Sequence, residues 1–126
     1  MKLISTLVLG AALSFGGMAA FAGDASGTFK GLKGYGTKGG VTVTANDDGT
    51  HTVTLASNFS IKNAPDPQIG FGNNGKYTKG TNISLLKSNK GAQSFIVPAR
   101  INPDDFNEVY VYCVQYSVPL GVAKLN

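Results

Sequence analysis

The sequence has very few of the residues from which redox and metal sites are usually built. Its 126 residues include one cysteine, one histidine, two methionines and no tryptophan. A single cysteine excludes an internal disulfide, a multi-cysteine zinc site and a cysteine-ligated iron–sulfur cluster. The sequence also has no C-x-x-C-H motif for covalent haem attachment. Any chemistry that needs cysteine must therefore use Cys113 by itself or together with a partner molecule.

Charged residues are scarce as well. They make up 14% of the chain, against about a quarter in an ordinary soluble protein, and the formal net charge is +4. The lysines lie mostly in segments rich in glycine or asparagine, and Arg100 is the only arginine. A nucleic-acid surface would instead group basic residues with aromatic residues or arginines on one face. We therefore expect no nucleic-acid partner.

Two patterns resemble ligand sites but lack the context that such sites need. Residues 34–39 match G-x-G-x-x-G, yet a strand pattern follows them instead of the helix that a dinucleotide site requires. The acidic residues at 47–48 and 104–108 do not have the alternate spacing of a calcium loop. We expect a glycine loop in the first case and turn-forming residues in the second, and the spacing of acidic residues indicates no metal site.

The first 22 residues have the pattern of a secretory signal peptide. Lys2 supplies a positive charge, residues 3–15 are apolar and uncharged, and residues 20–22 read Ala-Phe-Ala, which signal peptidases cut. An uncleaved anchor is the alternative, although the glycine and alanine content makes a poor membrane span. We expect cleavage after Ala22, export to the periplasm or the extracellular space, and no membrane contact afterwards. The mature domain, residues 23–126, then has no methionine, which excludes a haem with His/Met ligation.

The mature domain has no sustained helical period. Apolar and polar residues instead alternate over short segments that are separated by turn signals. In residues 41–55, Val-Thr-Val-Thr-Ala and His-Thr-Val-Thr-Leu flank an Asn-Asp-Asp-Gly turn and predict a β-hairpin with one core face. Further strands are predicted at residues 68–72, 83–86, 94–97, 109–116 and 118–125. The predicted fold class is all-β, a single antiparallel β-sandwich of about seven to nine short strands.

The strand that contains Cys113 is apolar on both faces. Such a strand belongs in the middle of a sandwich, and Cys113 shares its face with Val109 and Val111. The ordinary interpretation of a cysteine there is an inert core residue. The functional alternative is that Cys113 and His51 form a nucleophile–base pair or share a metal.

From Leu55 onward, the order of features resembles a family of secreted domains called DM-thirteen, often described as an electron-transfer domain. The resemblance rests on Leu-Ala-Ser-Asn-Phe-Ser at 55–60, Ala-Pro-Asp at 64–66, Leu-Leu-Lys at 85–87, Gly-Ala-Gln-Ser-Phe-Ile-Val-Pro at 91–98, and Val-Tyr-Val-Tyr-Cys-Val-Gln-Tyr-Ser-Val-Pro-Leu-Gly-Val-Ala-Lys-Leu at 109–125. The family typically has a hydrophobic strand ending in an aromatic residue and a cysteine, then another aromatic residue, a short link and G-x-A-x-L. Here the residue before the cysteine, often tryptophan in the family, is Tyr112. Residues 67–72, where the family tends to be aliphatic or aromatic, read Pro-Gln-Ile-Gly-Phe-Gly.

The resemblance implies a β-sandwich with a redox or electron-transfer role centred on Cys113. Tyr110, Tyr112 and Tyr116 would shield the thiol or pass electrons to and from it. A haem or metal held by Cys113 with help from His51 is an open alternative. The partner, a redox protein or another extracellular ligand, is not identified, and the features do not indicate a stand-alone enzyme.

The competing hypothesis is a non-catalytic extracytoplasmic binding or structural module. In that case Cys113 is buried and inert, and loops such as residues 31–40 or 72–80 form the contact surface.

Overall fold

The computed structural model describes residues 24–126, so the predicted signal peptide at residues 1–22 lies outside the described residues. The described part is all-β, with one 3₁₀ turn at Pro103–Asp105 and no helix long and apolar enough to cross a membrane. Its nine strands are β1 (Ala25–Gly31), β2 (Gly40–Ala45), β3 (His51–Leu55), β4 (Pro67–Asn73), β5 (Lys76–Tyr77), β6 (Ser84–Leu85), β7 (Gln93–Val97), β8 (Glu108–Cys113) and β9 (Val118–Lys124).

The strands form one antiparallel sheet that curls around a hydrophobic core. Its order is β5-β4-β8-β9-β1-β2-β3-β7, and β6 pairs with β4. Strand β1 joins the two halves, because residues 25–28 pair with β2 and residues 29–31 pair with β9. The prediction of an antiparallel sandwich of seven to nine strands is confirmed.

The hairpin of β2 and β3 shows how the alternating pattern produces the core. Val41 and Val43 pair with Leu55 and Val53, and all four side chains are buried, whereas the threonines between them are half-buried. The turn contains Gly49 at φ +89°, a backbone conformation that glycine adopts without steric cost. This hairpin was predicted from the alternation, and the prediction is confirmed.

Strand β8 lies at the centre of its half of the sheet. It pairs along its whole length with β4 on one side and β9 on the other, and every residue except Tyr112 is buried. The predicted central position is confirmed, but the predicted strand over residues 109–116 is too long. It ends at Cys113, because residues 114–117 turn back to start β9 and Ser117 adopts φ +56°. Val114 and Tyr116 have strand-forming side chains, but the pairing of Cys113 with Val118 places them in the connecting turn.

The G-x-A-x-L segment at the end of the chain has a packing role. Gly121 lies against Thr37, and a Cβ atom at residue 121 would lie 2.7 Å from that threonine side chain. The Thr37 hydroxyl donates a hydrogen bond to the carbonyl oxygen of Leu120 at 2.8 Å. Since Thr37 lies in the glycine loop before β2, these contacts fasten that loop to β9. Ala123, two residues further on, is fully buried in the core.

Candidate functional site

Cys113 is the last residue of β8, and its side chain is 1% exposed. It is a free cysteine, and it belongs to the hydrophobic core cluster together with Val109 and Val111. Its cross-strand neighbours are Val118 on β9 and Pro67 on β4. The thiol is therefore closed off from solvent in the folded state.

Just before the strand end that carries Cys113, the pairing of β8 with β9 is interrupted, whereas its pairing with β4 continues to Cys113. The pairing with β9 is irregular between Val111 and Tyr112, so only two residue pairs lie between this irregularity and the turn. A bulge of this kind disrupts the ladder locally. In the turn itself, Gln115, Tyr116 and Ser117 are exposed. We call residues 112–119 the hairpin end.

One carboxylate fastens the hairpin end to the neighbouring strand. Asp66 Oδ2 accepts a hydrogen bond from the backbone N–H of Gln115 at 2.8 Å, and Asp66 Oδ1 accepts one from Gln68 Nε2 at 2.9 Å. Asp66 adopts φ +47°, which directs the chain into β4. The residue belongs to the Ala-Pro-Asp segment of the family pattern, so the structure joins two separate parts of that pattern. Only the fold shows this contact, because Asp66 and Gln115 lie 49 positions apart in the sequence.

The tyrosines near Cys113 in the sequence lie away from the thiol. Tyr110 and Tyr112 alternate with Cys113 along β8, so their side chains are on the opposite face of the sheet. Tyr116 is 61% exposed in the hairpin turn. The thiol lies on the core face of β8, in the same hydrophobic cluster as Val109 and Val111.

Tyr110 and Tyr112 form an aromatic cluster with a third tyrosine, Tyr77 of β5. The Tyr77 and Tyr112 rings are stacked, with centroids 3.6 Å apart and an interplanar angle of 8°. Tyr110 meets Tyr77 edge to face, with centroids 5.8 Å apart. We call these three residues the tyrosine cluster. No sequence signal singled out Tyr77, because it lies in a strand of only two residues.

One member of the tyrosine cluster, Tyr110, forms a buried pair with a carboxylate. The Tyr110 hydroxyl donates to Glu108 Oε1 at 3.2 Å, and the backbone N–H of Gly75 donates to both Glu108 oxygens at 2.9 and 3.0 Å. Burial, with the Glu108 carboxylate beside it, raises the pKa of Tyr110 to about 12. Burial also raises the pKa of Tyr77. Both phenols are therefore protonated at neutral pH.

His51 lies in a different part of the sheet from Cys113. It pairs with Ala45 and Val97, and β3 is four positions from β8 in the strand order. It lines a cavity of about 230 Å³ to which Cys113 does not contribute. Within residues 24–126, no three His, Cys, Asp or Glu side chains are grouped as they would be to hold a metal ion. The structure thus does not bring His51 and Cys113 together as a nucleophile–base pair.

A haem or metal on Cys113 does not fit the described residues. Four cavities in residues 24–126 measure about 200, 320, 230 and 330 Å³, and Cys113 lines none of these four. Ligand pockets usually measure about 300–1,000 Å³ and present their ligating atoms to the interior. Cys113 is 1% exposed and lines none of these four cavities, so its thiol cannot ligate a group of that size without rearrangement of the strand.

Comparison with known proteins identifies the family. Residues 28–125 match the family described as Electron transfer DM13, the DM-thirteen family named above. No curated protein and no solved structure matches the chain. The match begins within β1 and continues through β9, so it includes Cys113, Asp66 and the tyrosine cluster. The chain therefore belongs to the electron-transfer DM13 family.

Proposed function

We propose that this chain is an exported electron-transfer domain whose redox group is the Cys113 thiol, which reacts after local opening of the hairpin end. Family membership supports a redox role, and Cys113 is the single thiol of the chain. The observation that carries the mechanism is the position of this thiol at a strand end beyond a ladder irregularity. Segments with few ladder bonds open locally at a lower free energy than the whole domain unfolds.

The chemistry of a lone thiol with a partner is thiol–disulfide exchange. The Cys113 thiol loses its proton to solvent, and the thiolate attacks one sulfur of a partner disulfide. A bond forms between Cys113 Sγ and that sulfur, the partner's S–S bond breaks, and the released thiolate takes up a proton. A second partner that carries two thiols completes the transfer: one of its thiolates attacks Cys113 Sγ and releases the reduced first partner, and the other then displaces Cys113 and closes a disulfide. Two electrons thus pass from the thiols of the second partner to the disulfide of the first. Burial in the closed state protects the unpaired thiol from oxidation outside the cytoplasm.

The competing function is a binding module in which Cys113 is only a packing residue. The 1% exposure of the side chain favours this function, because structural buried cysteines are inert. The two functions differ in whether the thiol can react while the rest of the domain stays folded.

Reaction of the native protein with a small aromatic disulfide distinguishes the two functions. We expect slow, complete modification of one thiol, with a rate that depends on urea much more weakly than global unfolding does. The Cys113→Ala variant should release no aromatic thiol. If the reaction rate instead follows the population of the fully unfolded chain at every urea concentration, the redox mechanism is wrong and the binding module is supported.

Export is tested separately by the N-terminus of the protein recovered from the periplasm or medium. Cleavage after Ala22 leaves Gly23 as the first residue, because residues 20–22 have the A-x-A pattern. Recovery of the protein with Met1 intact, or only from the membrane fraction, would contradict this part of the proposal.

A further inference from the structure

A cavity in the described part of the chain lies beside the tyrosine cluster. It measures about 330 Å³ and is lined by Tyr77, Lys79, Asn82, Tyr112, Val114 and Ser117, with the backbone of Gly80. This volume falls at the lower end of the range for small-molecule pockets. The cavity is on the opposite face of β8 from the Cys113 thiol, since Tyr112 is part of its wall.

The walls of this cavity are held in place by contacts outside it. The Arg100 guanidinium donates to the carbonyl oxygens of Gly80 and Asn82 at 2.7 and 3.0 Å. Asn82 Nδ2 donates to Gln68 Oε1 at 2.9 Å. Buried Thr81 exchanges hydrogen bonds with the backbone of Phe71, donating to its oxygen at 3.0 Å and accepting from its nitrogen at 2.9 Å. The loop is thus organised before any ligand arrives, which lowers the entropic cost of binding.

The chemistry of the lining selects one class of ligand. Two stacked tyrosine rings and Val114 provide aromatic and aliphatic surface, and Lys79 provides the one charge among the described lining residues. No carboxylate lines the cavity in the described part of the chain. Aromatic rings pack well against tyrosine, and an ammonium group attracts an anion. The lining also has three hydroxyl side chains, those of Tyr77, Tyr112 and Ser117, and the amide of Asn82, so a neutral sugar is the alternative ligand that the test below includes.

We propose that this cavity binds a flat aromatic molecule of one or two rings that carries an acidic group. The ring lies against the tyrosine cluster, and the acidic group lies near the ammonium group of Lys79. Binding itself requires no thiol chemistry and therefore does not depend on the function proposed above. Its consequence for that function is regulatory: Tyr112, Val114 and Ser117 belong to the hairpin end, so an occupant stabilises the closed state that buries Cys113.

Titration of the full exported protein with naphthalenesulfonate, followed by calorimetry and by amide chemical shifts, tests the binding. We expect one site, with shifts concentrated at residues 77–82 and 112–117. Lys79 is exposed, so Lys79→Gln keeps the fold, and we expect it to weaken binding about five- to tenfold. Tyr112→Leu should weaken binding more than tenfold. The matched controls Lys30→Gln and Tyr116→Leu replace exposed residues outside the cavity and should bind as the parent does.

Uncharged naphthalenemethanol and glucose are the comparison ligands. We expect both to bind more weakly than naphthalenesulfonate. If naphthalenemethanol binds as tightly as naphthalenesulfonate, the requirement for an acidic group is wrong. If glucose binds more tightly, the assignment to an aromatic ligand is wrong. If the amide shifts of residues 77–82 do not change, the ligand does not bind in this cavity.

The coupling to Cys113 is a separate measurement. If only the closed state binds, naphthalenesulfonate at ten times its Kd should slow modification of Cys113 by an aromatic disulfide about tenfold. Binding without this protection would refute the coupling but leave the site intact. A thiol that reacts only on global unfolding would refute the proposed function, whereas calorimetric binding would still be present.

Discussion

The contact between Asp66 and the hairpin end allows a quantitative test of local opening. In Asp66→Asn the side chain keeps its size, and asparagine tolerates the positive φ of this position. The carboxylate accepts from two donors, the N–H of Gln115 and Nε2 of Gln68, whereas an amide has one acceptor oxygen. One of the two donors therefore loses its partner within the protein.

The expected magnitude follows from the charge and the partial exposure of this contact. Hydrogen bonds to charged groups contribute about 1.5–3 kcal/mol, and the half-buried position of Asp66 favours the lower end. About 1.4 kcal/mol corresponds to a tenfold change in the local opening equilibrium. Because opening precedes the reaction, Cys113 in Asp66→Asn should react about tenfold faster with an aromatic disulfide.

The control is the same substitution in a turn in the other half of the sheet. Asp48 Oδ1 accepts from the backbone N–H of Thr50 at 3.0 Å and from its hydroxyl at 2.7 Å, in the turn between β2 and β3. Asp48→Asn weakens a carboxylate contact far along the sheet from Cys113 and should leave the thiol reaction rate unchanged. Urea unfolding of both variants gives the global stability for comparison.

One result would refute this reasoning. If both variants accelerate the reaction in proportion to their loss of global stability, the thiol is reached by unfolding of the whole domain. The Asp66 contact would then be an ordinary turn-stabilising hydrogen bond without a role in access to Cys113.

Three further predictions concern stability, measured by urea unfolding. The pKa of Tyr110 is about 12 in the fold, against 10.0 in the unfolded chain, so the stability that its protonated hydroxyl contributes is present below about pH 10 and is lost as pH rises through 12. Tyr110→Phe should remove this loss of stability at alkaline pH. If the dependence of stability on pH is the same in the variant, the buried pair of Tyr110 with Glu108 is contradicted. Gly121→Ala should destabilise by about 1–3 kcal/mol, because the new Cβ overlaps Thr37; a neutral effect would show that the loop moves freely. Leu55→Ala should destabilise by about 2–5 kcal/mol, since Leu55 is fully buried, and a loss below that range would mean that the core collapses around the site.

The strands that could be predicted from the sequence are those whose side chains alternate between core and surface. In β2 and β3 the valines face the core and the threonines do not, so period-two alternation reports burial directly. Strand β8 could be recognised as central because both of its faces are apolar, and the structure pairs it on both sides. The two-residue strand β5 has too few residues to show any alternation, and it was not predicted.

The candidate site could be predicted only in part. Cys113 was singled out because it is the single cysteine and belongs to the family pattern, and its position on a central strand implied burial. The contact of Asp66 with Gln115 joins residues 49 positions apart, and only the pairing register of β4 with β8 brings them together. The same register, together with the β4–β5 hairpin, places Tyr77 against Tyr112.

The sequence by itself therefore determined the all-β class, the central strand and the one residue available for thiol chemistry, because composition and alternation are local properties of the chain. Only the tertiary structure decided that Tyr112 lines a cavity on the face of β8 opposite the thiol, while Tyr110 is buried on that same face beside Glu108. It also decided that His51 lies away from Cys113 and that Asp66 fastens the hairpin end. These outcomes depend on strand register and sheet order, which are set by the cooperative packing of distant segments and leave no local signal in the sequence.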